Sequence, residues 1–162
     1  MESTTNSLAS AASAASGASG IDETSILQLP EGMLGFSRLT RYVLVDDERI
    51  RPLLWLQCLD DPNLAFPVVD PRLIEPAYFN LLPTGELGRL KIRSQSELVL
   101  LVVAIIRPAP ERSSVNLKAP VLINLTTMTG RQIILEEPRA EIRAIFPDLE
   151  AATSVGPSAT AR

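Results

Sequence analysis

Apolar positions along this chain fall mostly in short extended runs bounded by Pro, Gly, Asn and Asp. "SILQLP" alternates apolar and polar residues up to Pro30, the pattern of a half-buried strand. "RYVLVD" (Arg41 to Asp46) and "LLWLQCLD" (Leu53 to Asp60) are rich in β-formers and end in acidic turns. The turn "DDPN", Asp60 to Asn63, leads into "LAFPVVD". Pro67 cannot donate to a ladder there, which predicts an edge strand or a bulge.

The most hydrophobic stretch is "LVLLVVAII", Leu98 to Ile106. It is far short of the roughly 20 apolar residues that span a bilayer, and it reads as a strand buried on both faces. Before it, "PRLIEPAYFNLLPTGELGRLKIRSQSE" is broken by Pro and Gly, with room for a short helix after Thr84. After it come strand signals from Ala119 to Leu125 and from Arg131 to Glu136. "TMTG" between them supplies a Gly for the positive φ of a tight connection. "RAEIRAIF", after Pro138, is expected to form a short helix with Ile142, Ile145 and Phe146 on one face.

Many short strands without enough helical patterns for crossovers predict an all-β fold: an antiparallel single domain, barrel or sandwich, with short helical segments. An α/β sheet is the weaker option. Residues 1–23 and 148–162 are Ala/Ser/Thr/Gly-rich and lack apolar periodicity, so they are expected to be disordered tails. The folded unit is then 24–147, and no internal repeat is visible.

Composition narrows the chemistry. The chain has 162 residues, 46% hydrophobic and 21% charged, so one core needs neither disulfide nor metal. Aromatics are 4%, which leaves the filling of that core to Leu, Ile and Val. The net charge of −4 disfavours direct binding to a phosphate backbone and fits a protein that meets basic partners. The N-terminus lacks the basic and apolar regions of a signal peptide, and no segment suits a membrane, so a cytoplasmic location is expected.

There is no histidine, which removes the commonest general base and metal ligand. Cys58 is the only cysteine and lies in an apolar run, where a buried inert thiol is expected. Ser114 and Lys118 are four apart and do not match a Ser-x-x-Lys spacing. Asp46, Asp47, Glu48, Asp60 and Asp61 lack the alternation of a calcium loop and read as turn chemistry, with a functional acidic patch as the second reading. "GMLG" and "GELG" read as tight turns rather than phosphate clamps. In "PEGMLGF", Met33, Leu34 and Phe36 either plug one end of a barrel or form an exposed apolar anchor, and composition favours the plug. No cofactor or metal site is expected.

Taken in order, "LPEGMLGF", "YVLVDD", "LLWLQCLDDPNLAFPVVDP", "SSVNLKAPVLIN" and "GRQIIL" resemble the flagellar assembly factor FliW family, over roughly Ile26 to Leu135. The resemblance implies a barrel-like β protein that is not an enzyme. It also implies two partners: the translational regulator CsrA, which such proteins antagonise, and flagellin, which draws them away from CsrA. Flagellin synthesis is thereby tied to assembly. The acidic residues Asp46, Asp47, Glu48, Asp60 and Asp61 would then form a surface that repels RNA. Asn116, Leu117, Ala119, Pro120 and Asn124 match the family-like hairpin. By alternation Leu117, Val121 and Ile123 are expected in the core, and Asn116 and Asn124 on turn backbone groups. A small barrel enzyme or ligand carrier using carboxylates is the rival from another class.

Overall fold

The computed structural model describes residues 22–109, residues 113–136 and the backbone of 142–144. The two expected tails lie almost wholly outside these residues. The strands are β1 (Leu27–Gln28), β2 (Arg41–Asp46), β3 (Leu54–Cys58), β4 (Ala65–Val69), β5 (Leu98–Ile105), β6 (Ser114–Asn116), β7 (Val121–Asn124), β8 (Thr129–Gln132) and β9 (Ile142–Ala144). Their order is β4-β3-β2-β1-β8-β7-β5-β6-β9, and β4 also pairs with β5. Seven strands therefore close into a barrel, the barrel alternative of the all-β expectation. All pairings are antiparallel except the single β1–β8 step, Gln28↔Thr129.

Two apolar layers meet at β5. Val99 and Leu101 point into the barrel with Leu27, Tyr42, Leu44, Leu56, Val68, Val121 and Ile123. Leu98, Leu100, Val102 and Ala104 point outward, where Tyr78, Leu82 and Leu117 join them. The excursion between β4 and β5 covers that outer face, with Phe79, Leu81, Leu87 and Leu90 packed against it. It includes the short helix α1 (Thr84–Arg89). A strand covered on both sides explains the unbroken apolar run, each large aliphatic side chain contributing about 1.5–3 kcal/mol. Among the described residues no helix is long and apolar enough to cross a membrane.

Pro67 sits where its missing N–H costs least. β3 pairs with β4 from Ala65 to Val68, whereas β5 reaches β4 only at Val68 and Val69. The edge reading for Pro67 therefore holds for one side of the strand, within a barrel that closes just beyond it.

Three local expectations are corrected. Ile142–Ala144 is strand β9, paired with β6, not part of a helix. The open edge of β6 supplies a ladder that outweighs the apolar spacing of a weak helix, and Ile145 and Phe146 lie outside the described residues. The β7–β8 connection is residues 125–128, and its positive φ belongs to Met128 at 55°. Gly130 lies within β8 instead, where an added Cβ would stand 2.5 Å from the Leu122 carbonyl oxygen and 2.7 Å from Ile123 Cγ1. Close strand approach, not turn geometry, requires that glycine. Finally, "GELG" is part of α1 rather than a turn, whereas Gly32 and Gly35 do turn the chain, at φ 67° and 86°.

Candidate partner-binding surface

Strand directions assign every connection to one of two barrel ends. One end carries the β2–β3 connection, the start of the β4–β5 excursion and the β7–β8 turn. The other carries the β1–β2 loop, the β3–β4 turn and the long route from β5 through β6 to β7. The candidate acids are thus not gathered. Asp46, Asp47 and Glu48 lie at the first end, Asp60 and Asp61 at the second.

Most of these acids hold arginines. Asp47 caps a 3-10 turn, accepting the Arg49 amide at 3.0 Å, and binds the Arg49 guanidinium at 2.7 Å. That hydrogen bond is the main reason its carboxyl is pushed down to about 2. Arg51 likewise engages Asp46 through Nε at 3.0 Å and holds its carboxyl below the usual range. Asp60 accepts the Thr40 and Arg41 amides at 2.8 and 3.1 Å and Arg41 Nε at 2.9 Å, so it too is lowered, first by the Thr40 amide. Asp61 accepts the Asn63 amide at 3.0 Å within the β3–β4 turn. Glu48 keeps the most open carboxylate of the five, 86% exposed and 3.9 Å from Arg51. The turn-chemistry reading accounts for Asp47 and Asp61, which accept amides two residues on, whereas Asp46 and Asp60 hold arginines of other segments.

The hairpin residues also divide. Leu117, Ala119, Pro120 and Asn124 are buried, and Asn116 is half-buried. Asn116 Oδ1 accepts the Lys118 amide at 3.1 Å. Asn124 Oδ1 accepts the Thr126 amide at 2.8 Å, while its Nδ2 donates to the Leu90 carbonyl at 2.7 Å. One buried amide thereby closes the β7–β8 turn and fastens the end of α1 to it, since an unmet buried polar group is costly. Leu117 contributes to the outer layer, and its carbonyl accepts the Tyr78 hydroxyl.

The apolar loop "PEGMLGF" takes both roles weighed for it. Met33 is buried in the barrel interior, whereas Leu34 is 51% and Phe36 36% exposed. Phe36 rests edge-on against Phe66 at a centroid distance of 5.6 Å. β8 holds the loop in place. Gln132 Oε1 accepts the Leu34 amide at 2.8 Å, and Arg131 bridges Glu31 at 3.1 Å and Glu86 of α1 at 2.9 Å. Ile105 and Ile134, at the same end, are also exposed. Sequence reasoning did not single out those two. Ile134 was accessible in principle, because a strand through "RQIIL" must turn one isoleucine outward. Among the described residues no group of three or more His, Cys, Asp and Glu could hold a metal ion.

The order of these segments is not peculiar to this chain. The family model described as FliW protein matches residues 10–146. A flagellar assembly factor FliW of Geobacter sulfurreducens is 38% identical over 137 residues, covering 85% of each chain. One from Thermotoga neapolitana is 34% identical over 129 residues, covering 79% of this chain and 87% of its own. A crystal structure of the flagellar assembly factor FliW superposes with a TM-score of 0.71 at 28% identity, covering 79% of this chain and 90% of its own. A match spanning barrel, loop and hairpin alike places the chain in the FliW family.

Proposed function

We propose that the chain is a non-catalytic regulatory binding protein of flagellar assembly, which antagonises CsrA and binds flagellin. The observation that carries contact over catalysis is the apolar end of the barrel. There Leu34, Phe36, Ile105 and Ile134 are held outward while neighbouring Asp60 binds Arg41. The choice of partners comes from the resemblance of the ordered segments, and the acidic net charge suits a basic RNA-binding partner. A carboxyl acting as general acid must be raised toward neutrality, whereas those of Asp46, Asp47 and Asp60 are all lowered.

Calorimetric titration of the full chain against purified CsrA and flagellin tests the reading. Binding heat with both is expected at micromolar concentration, and no heat with either sinks it. Of the acids proposed to repel RNA, Glu48 has the most open carboxylate, so Glu48→Lys is expected to weaken the block on CsrA–RNA binding in a gel shift. Unchanged inhibition removes that patch from the reading.

A further inference from the structure

Beyond Gln132 the chain stays extended but is tied to one neighbour. The Ile133 amide donates to the Pro120 carbonyl at 2.9 Å and the Leu135 amide to the Lys118 carbonyl at 2.8 Å. Backbone groups of an antiparallel strand alternate sides, so the N–H and C=O of Ile134 face away from this ladder. They make no hydrogen bond with a described residue.

The cause lies in β1. It pairs with β8 only at Gln28↔Thr129, and Pro30 then has no N–H with which to continue. The chain turns off through Gly32, and β8 outruns the strand that would cover it. Ile134 is left 59% exposed on this edge, with Leu34 anchored beside its start through Gln132. Proteins ordinarily blunt such edges with Lys, Pro or a bulge, and an exposed isoleucine does the reverse.

We propose that the edge at 132–136 accepts an extended segment of a partner protein as an added strand. Its aliphatic side chains would pack over Leu34 and Ile134, and a flanking carboxylate would meet the cations of this end. The bare backbone dictates an extended occupant, and the exposed leucine and isoleucine dictate aliphatic side chains. The charge follows from pairing among the described residues of this end. There Arg38, Arg107 and Lys118 form no ion pair, whereas Glu31 and Asp60 are bound to Arg131 and Arg41, so three free cations face two free acids, Asp61 and Glu136. The inference rests on the binding-protein reading above and names the chemistry of the bound segment.

Ile134→Pro tests it directly, because the amide removed is not one the fold itself uses. Leu34→Asp, at an exposed side chain, is the second variant. The probe is a fluorescent peptide of alternating valine and threonine flanked by aspartate, read by anisotropy, with hydrogen exchange followed at the Ile134 amide. Expected are binding to the unaltered chain, roughly tenfold or greater weakening in both variants, and slowed exchange at Ile134 when the peptide is bound. No binding, or equal binding to Ile134→Pro, overturns the proposal. So does a loss of self-association alone, which would make a second copy the occupant. CsrA and flagellin are titrated in parallel. If the peptide binds and neither protein does, the edge stands and the proposed partners fall. If both bind Ile134→Pro as before, the partners stand and the edge falls.

Discussion

Both ends of the barrel pair acids with arginines, but they expose apolar side chains unequally, Leu73 at one and Leu34, Phe36, Ile105 and Ile134 at the other. At the end formed by the β2–β3 connection, Asp46 and Asp47 hold Arg51 and Arg49, partners five and two residues away in sequence. At the other end Leu34, Phe36 and Ile134 are exposed, and the Ile134 backbone makes no hydrogen bond with a described residue. The most conspicuous charge cluster of the sequence is thus largely satisfied locally, whereas the unsatisfied surface is made of residues that a composition survey passes over. A cluster of like charges says little about a surface until its counter-ions are placed, because a short-range arginine neutralises it.

The contrast is broken most severely at Gly32. Its φ of 67° disfavours any side chain, and an added Cβ would collide with the Phe36 carbonyl. Gly32→Ala should lower stability by about 2–4 kcal/mol in urea unfolding and release the loop from β8. Adjacent residues of that loop separate its structural from its binding role. Met33→Ala should cost about 2–4 kcal/mol through the cavity left in the barrel, whereas Leu34→Ala should stay within about 0.5 kcal/mol of the unaltered chain. Equal losses at the two positions would mean that Leu34 is part of the core.

The smallest effect belongs to the charged end. The Asp47 carboxyl titrates lower in the folded chain than when unfolded, so folding favours its ionised form. The stabilisation is complete above the ordinary carboxylate pKa of about 3.9 and is lost as pH falls toward about 2. Asp47→Asn should therefore flatten the pH dependence of stability in that window and leave its slope at neutral pH unchanged. An unaltered acid limb would show that the Asp47 carboxyl titrates alike in the folded and the unfolded chain.

Much of the barrel was legible because strand period and turn residues are local. Leu98 to Ile106 announced a doubly covered strand, and the burial of Val121 and Ile123 followed from alternation. Asn116 and Asn124 were correctly placed on backbone groups, although nothing local told that Asn124 would reach the Leu90 carbonyl. The failures share one cause. β9 became a strand because β6 offered an edge, and Gly130 serves the closeness of a neighbouring strand, a constraint that its own segment does not contain.

The sequence by itself determined the class of the fold, the strands with strong apolar patterns, the absence of histidine chemistry and the family to which the chain belongs. These depend on residue types and on spacings within a few positions. Tertiary structure alone decided which end each loop occupies, which arginine meets which acid, that Met33 is buried while Leu34 is not, and that β8 extends past its cover. Each of those follows from barrel closure and register, which bring together residues as distant as Leu34 and Gln132. No local pattern encodes where a strand's neighbour stops.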